Sequence, residues 1–307
     1  MPIFQSHAGF CITRNKLQLV EIDYRKENFY LENVDEEPFG EEIDSSNRES
    51  KFINILQNAY KALSVRKSLN TQNVSFALQH DFFKIIEIPF DNTLTERDLI
   101  EHFNWELQLL FPSEIPNDYF VQYVDVDKSN LRKEKYAIIL AINRQLLNLI
   151  NKFCFKNNLV LRLADNIHFA TNVFITLDNQ SVKNEVYLSI LIEEKEFSVI
   201  IMDEQIPIHF SVKQYLDDSD LLSKMKSVIE KLGKYNLSVD NITKSYLFGN
   251  NAGDELIEKI NSSVNLQLKK INPFDKIKVS PFLYENRYFV ETNNSFAPAA
   301  GVALRLQ

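Results

Sequence analysis

The sequence predicts an α/β protein built as two similar lobes, with a small α/β domain inserted in the first. Three observations carry this prediction. A plan of three short strands followed by a helix occurs twice, starting near Gly9 and again near Glu185. Between the two copies, the stretch that follows Phe83 reads helix, strand, strand, helix, which makes a self-contained α/β unit. The chain has 307 residues, and that length is enough for about two domains. The expected boundaries are residues 1–163 for the first lobe, about 84–162 for its insertion, and 164–307 for a reduced second lobe.

The elements follow in order. Residues 9–14, 17–24 and 28–34 are short, rich in β-branched and aromatic side chains, and separated by polar breaks, as in a meander. Residues 35–47, acidic and holding Pro38 and Gly40, read as a loop. Phe52, Ile55, Leu56, Ala59 and Leu63 recur at helical spacing. Residues 74–78 and 83–88 read as strands. Thr93 and Glu96 have capping-box spacing ahead of a helix whose Leu99, Phe103, Leu107 and Leu110 share a face, and Pro112 stops it. Residues 119–126 and 136–142 read as strands, and a helix covers 145–155. A strand at 160–163 precedes a helix through Phe169, Val173 and Phe174. The second copy follows: strands at 185–192, 197–202 and 206–210, then a helix from Ser219 with Gly233 as its C-cap. A strand at 245–248, a helix at 254–260 and a strand at 264–268 complete it.

Composition excludes several function classes. Hydrophobic residues are 45% and charged residues 25%, which is ordinary for a globular chain. The net charge of -8 argues against a nucleic-acid binder, which needs excess Lys and Arg to neutralise phosphates. No apolar run is long enough for a membrane helix, and Met1 to Gln5 lacks the basic start of a signal peptide, so a cytoplasmic protein is expected. The two cysteines, Cys11 and Cys154, make no disulfide framework and read as small apolar fillers. Six glycines are few for an enzyme whose backbone amides must approach phosphate.

Catalytic constellations are missing. There is no G-x-S-x-G and no H-E-x-x-H, and His7, His80, His102, His168 and His209 lack ligand spacing, so each reads as a packing or surface residue and no metal is expected. Asp217, Asp218 and Asp220 sit at a helix start, where they suit the macrodipole. Arg132 to Lys135 reads as a solvated hairpin tip. Trp105 lies opposite or at the edge of the Leu99, Phe103, Leu107 face. It is a partner-binding candidate, against the simpler reading that it packs its own domain.

Four segments, in order, resemble the PilM branch of the actin-like ATPase superfamily. The run from Ala8 through Cys11, Thr13 and Lys16 to Ile22 resembles the first phosphate motif. The stretch from Ile88-Pro89 through Trp105-Glu106 and Phe111-Pro112 to Tyr123 is similar to the small inserted domain. Ser245 to Gly253 resembles the adenosine loop, with Asn272-Pro273-Phe274 following. Phe296 to Arg305 is similar to the closing helix. The resemblance implies a two-lobed actin-like (ribonuclease H-like) fold. It also implies a cytoplasmic component of type IV pilus or related envelope-machine assembly, which binds the short cytoplasmic tail of a PilN-like inner-membrane protein. Membrane association would be indirect, through that partner, and self-association is open. FtsA and the GspL cytoplasmic domain are similar relatives.

Against the family pattern, the phosphate motifs are degenerate. Cys11 and Thr13 stand where the family has its Asp and Gly, and a thiol is a poor ligand for a hard cation. Ile192 stands near the place of the second loop's Gly, beside Glu193 and Glu194, which repel phosphate. The helical lid that closes over nucleotide in relatives has no counterpart between Phe210 and Ser219. Gly249 and Gly253 remain as a residual adenosine-type loop. The expectation is a pseudo-ATPase scaffold with no cofactor. The alternatives are a working ATPase that uses ATP and Mg²⁺, for which Lys16 and the Gly249–Gly253 loop speak, or an FtsA-like or GspL-like adaptor in division or type II secretion.

Overall fold

A computed structural model describes residues 6–43, 48–91, 93–112, 118–126, 129, 131, 135–178, 185–235, 237–249 and 253–305. The first elements are β1 (His7–Ile12), β2 (Lys16–Arg25), β3 (Asn28–Pro38), α1 (Glu49–Arg66), β4 (Asn73–Leu78) and β5 (Phe83–Pro89). Then come α2 (Glu96–Leu110), β6 (Tyr119–Asp125), β7 (Tyr136–Asn143), α3 (Arg144–Lys156), β8 (Val160–Asn166) and α4 (Ile167–Asp178). The second copy holds β9 (Val186–Ile192), β10 (Glu196–Asp203), β11 (Ile206–Gln214), α5 (Asp218–Glu230), β12 (Ile242–Gly249), α6 (Asp254–Val264) and β13 (Leu268–Lys270). The chain closes with β14 (Lys278–Val279), α7 (Arg287–Val290) and α8 (Ala297–Leu304).

The repeated plan is present and extends to how the strands pair. One sheet has the order β14-β3-β2-β1-β4-β8 and the other β11-β10-β9-β12-β13. Each has an antiparallel meander, β3-β2-β1 or β11-β10-β9, whose first strand pairs in parallel with a later one, β4 or β12. A third, antiparallel sheet has the order β5-β7-β6.

The structure draws the domain boundaries elsewhere than expected. Met1–Phe82, Gln145–Asp178 and Ile271–Gln307 form one compact unit; Phe83–Arg144 and Asn179–Lys270 form the other. The expected insertion 84–162 therefore ends too late, because β8 pairs with β4 and carries α3 with it into the first sheet. The expected second lobe, 164–307, is split, because α4, β14 and α8 all join the first unit. The physical cause is α8. Its sequence, APAAGVAL, is apolar on every side, so it needs a home buried all round.

In the first unit that home is made by small residues. A Cβ on Gly9 would lie 1.9 Å from the Ala299 carbonyl oxygen, and one on Gly301 would lie 2.0 Å from that of Ala170. The absent side chains thus let α8 touch the backbones of β1 and α4. The next residue along β1, Phe10, stacks on Phe76 at 5.2 Å. Tyr60 of α1 and Phe153 of α3 meet this pair edge-on, a favourable aromatic geometry.

In the second unit β9 is buried along its whole length. The small sheet packs on α2 through Ile88, Phe90, Leu99, Phe103, Ala137 and Ile139. Glu87 of β5 accepts from His209 Nδ1 at 2.6 Å and from the Phe210 N–H at 3.4 Å, tying the small sheet to β11.

Several local expectations are corrected. Thr95, not Thr93, caps α2 by accepting from the Asp98 N–H, while the Thr93 N–H donates to Asp91 in the preceding turn. β3 runs on to Pro38 because Asp35, Glu36 and Glu37 find cations in Arg66 and Lys16. Gly233 lies inside a 3-10 turn, Lys231–Tyr235, rather than ending α5. Val264 closes α6, and Asn265 caps it with a φ of 53°, so the strand starts only at Leu268. Asp217 does cap α5, accepting from the Asp220 N–H. Residues 1–5, where a signal peptide was sought, and 132–134 of the expected hairpin tip lie outside the described residues.

Candidate functional site

The internal repeat makes the two sequence-predicted phosphate loops equivalent. Each is the turn after the first strand of a meander. In the first, the Thr13 N–H donates to the Lys16 carbonyl at 3.1 Å, so Arg14 and Asn15 form a two-residue turn. In the second, the Glu193 N–H donates to the Glu196 carbonyl at 2.8 Å around Glu194 and Lys195.

The first turn is closed from outside as well. The Phe39 and Ile43 N–H groups donate to the Asn15 and Arg14 carbonyls at 2.6 and 2.7 Å. Thr13 is nearly buried, and its hydroxyl donates to the Asn15 side chain at 3.0 Å. Lys16 Nζ meets Glu36 at 2.8 Å, and Arg14 meets Asp81 at 3.4 Å. Cys11 is fully buried on β1 opposite Gln18. A phosphate here would have to displace both cations from carboxylates already in place.

The second turn is acidic. Glu193, Glu194 and Glu196 cluster on it, with Glu193 and Glu196 buried. Tyr215 clamps it: its N–H donates to the Lys195 carbonyl at 2.9 Å and its hydroxyl to the Glu193 carbonyl at 2.5 Å. These carboxylates, Glu193 and Glu196 buried and Glu194 exposed, repel an anion.

Ile192 and Gly249 come together, opposite one another across β9 and β12. Gly249 has a φ of 110°, and a Cβ there would lie 1.9 Å from the Ile192 carbonyl oxygen. Strand packing alone thus demands this glycine. A Cβ on Gly253, the N-cap of α6, would meet open space. Residues 250–252 of this loop lie outside the described residues.

The histidines hold structural posts. His80 and His168 are buried, and burial depresses both rings, His80 to about 3. His80 Nδ1 lies 3.0 Å from the Asn166 side-chain amide, and His7 Nε2 lies 2.8 Å from the Ser75 hydroxyl. Cys154 is buried and its thiol is pushed up to about 12 by desolvation, an inert filler. Among the described residues no three His, Cys, Asp or Glu side chains gather as a metal site. Trp105 stands half-exposed on α2, at 54%, with its ring stacked on His102.

A different feature of the first unit was not found from sequence. A groove of about 1000 Å³ lies between α1, α3 and the start of β8. Ile53, Leu149, Phe155, Leu159 and Leu161 give it an apolar floor, with Lys152 and Lys156 on its wall. Phe155 is 84% exposed. β8 ends its sheet, so one row of its backbone donors and acceptors is open to a further strand. The only signal in the sequence was Phe155 on the polar side of an otherwise amphipathic helix.

No family model matches the sequence, and no curated protein matches it. Solved structures do. One is the PilM-PilN type IV pilus biogenesis complex: 16% identity, TM-score 0.70, covering 97% of this chain and 98% of that one. A second is a Bacteroides thetaiotaomicron protein with an actin-like ATPase fold and unknown function: 14% identity, TM-score 0.55, covering 88% and 91% of the two chains. The chain has the actin-like ATPase fold, as the sequence resemblance implied.

Proposed function

We propose that the protein is a non-catalytic, PilM-like scaffold that holds the cytoplasmic tail of a PilN-like inner-membrane protein. In this reading it serves a type IV pilus or a related envelope machine and reaches the membrane through that partner. The observation that carries the reading is the fold match over 97% of the chain to the PilM-PilN complex. Two features support the division of labour. The turns that serve phosphate in this superfamily are closed by their own hydrogen bonds and, in the second, lined with carboxylates. The groove along β8 offers what a short extended tail needs: a free strand edge for main-chain hydrogen bonds and apolar pockets for alternate side chains. Among the described residues no helix is long and apolar enough to cross a membrane, consistent with a tether supplied by another chain.

The test is calorimetric titration of the protein with a synthetic peptide. The peptide is the cytoplasmic tail of a PilN-like single-span membrane protein, sought in the neighbourhood of this protein's gene. Saturable binding is expected, weakened about tenfold or more by Phe155→Ala and by N-methylation of alternate peptide amides, which removes ladder hydrogen bonds. Absence of binding, or binding indifferent to both changes, contradicts the reading.

A further inference from the structure

We infer that the outer face of α2 is a second docking surface, and that its occupant is a basic amphipathic helix of a partner polypeptide. This goes beyond the tail-binding reading and does not depend on it. The surface lies in the other unit, on a separate stretch of chain.

The face is an apolar ridge on which Trp105 stacks against His102 of the same helix. α2 turns Leu99, Phe103 and Leu107 to its own sheet. Its opposite side still carries Trp105 and Leu109, which stand one helical turn apart and are 54% and 57% exposed. A helix in a small domain needs one apolar stripe, and a second one on the solvent side costs free energy unless something covers it. Trp105 is the only tryptophan of the chain. A half-exposed tryptophan is the residue type most often found as an interface anchor.

Charge decides what covers it. α2 carries Glu96, Asp98, Glu101 and Glu106 against Arg97, with His102 4.0 Å from Glu106. Glu101, one turn before Trp105, is 65% exposed at its side chain, and its ion pair with Arg97 is a solvated one worth little. The ridge is therefore apolar in the middle and negative around it. An anionic membrane surface would be repelled by that rim. A second copy meeting the same face would set like charges against each other. A helix with a leucine stripe flanked by Lys and Arg satisfies both features, packing its ridge beside Trp105 and Leu109 and placing its cations against Glu101 and Glu106.

The probe is a designed 18-residue peptide of leucines at helical spacing with lysines on the remaining positions, fluorescein-labelled. Its control has glutamate in place of every lysine. Anisotropy reads binding, and the emission of Trp105 with unlabelled peptide reads its location. The lysine peptide is expected to bind and to shift Trp105 emission to the blue. Trp105→Ala and Leu109→Ser should each weaken binding about tenfold or more, and Glu101→Lys with Glu106→Lys about tenfold. Since Trp105 and Leu109 lie outside the packed core, these variants should keep the thermal midpoint of the parent, and Phe155→Ala should leave this binding unchanged. The inference is overturned if the glutamate peptide binds as well, if Trp105 emission does not move, or if the substitutions leave affinity unchanged. It is equally overturned if the lysine peptide gives way to vesicles of anionic lipid or to self-association as the occupant that shifts Trp105.

Discussion

Replacing Gly249 with alanine separates a packing glycine from a phosphate-binding one. The residue ends β12 with a φ of 110°, and its missing Cβ would sit 1.9 Å from the Ile192 carbonyl oxygen and 2.9 Å from the Ile192 nitrogen. Both obstacles are backbone atoms of β9, a strand buried over its whole length, so no side chain can swing away. Alanine at such a φ costs roughly 1–2 kcal/mol. Forcing a methyl into a closed contact costs roughly 1–3 kcal/mol more. Together Gly249→Ala should destabilise the protein by about 2–5 kcal/mol. Gly253→Ala is the internal control: its φ is -69° and its Cβ would meet nothing. There the loss of N-cap preference opposes a gain from a stiffer unfolded chain, and the change should stay within about 0.5 kcal/mol. Urea denaturation of the full-length protein and both variants provides the assay. A Gly249→Ala protein as stable as the parent would refute the packing account and return this glycine to the role of a ligand-approach residue.

Other outcomes follow from the same structure. Thr95→Ala should cost about 1 kcal/mol by removing the cap of α2, whereas Thr93→Ala should change little, and thermal unfolding of the two side by side checks it. His80 and His168 are held neutral by burial, with native values far below the ordinary one, about 3 for His80. In the unfolded chain both titrate near 6.5, so below that pH the unfolded state binds more protons and stability falls as pH falls. The loss is on the order of a kcal/mol per pH unit for each ring that stays neutral in the fold. The buried carboxyls of Asp165 and Glu21, raised by desolvation, act in the opposite sense. A denaturation series that shows no loss between pH 7 and 5, or a His168→Gln variant with an undiminished slope, would contradict this. Gly301→Ala should destabilise the first unit by more than about 2 kcal/mol, because its Cβ would strike the Ala170 backbone at 2.0 Å, and circular dichroism melting checks it.

The parts of the fold that were legible in the sequence are the locally encoded ones. Short runs of β-branched and aromatic residues between polar breaks mark β1, β2 and β3, and helical spacing from Phe52 to Leu63 marks α1, because each pattern belongs to a single element. The domain boundaries were not legible, since they depend on contacts far apart in sequence: Gly9 against Ala299, and β8 against β4. Thr93 and Thr95 show the limit at short range. Both precede acidic residues at capping distance, and the choice between them is made by Asp91, which draws the Thr93 N–H into a turn. For the candidate site, Cys11, Thr13 and Ile192 were identified as departures from a family pattern. The structure adds what fills their place, namely the Phe39–Ile43 N–H groups over one turn and Tyr215 over the other. The β8 groove was invisible because α1, α3 and β8 contribute to it from separate stretches of chain.

The measurement that tests the central claim most directly is calorimetric titration of the purified protein with Mg-ATP. Lys16 and Arg14 are committed to Glu36 and Asp81, and the second turn presents Glu193, Glu194 and Glu196. The account predicts no heat beyond dilution and no phosphate release on prolonged incubation. A micromolar dissociation constant, or turnover above the uncatalysed rate, would contradict it and make the protein a working ATPase of this fold.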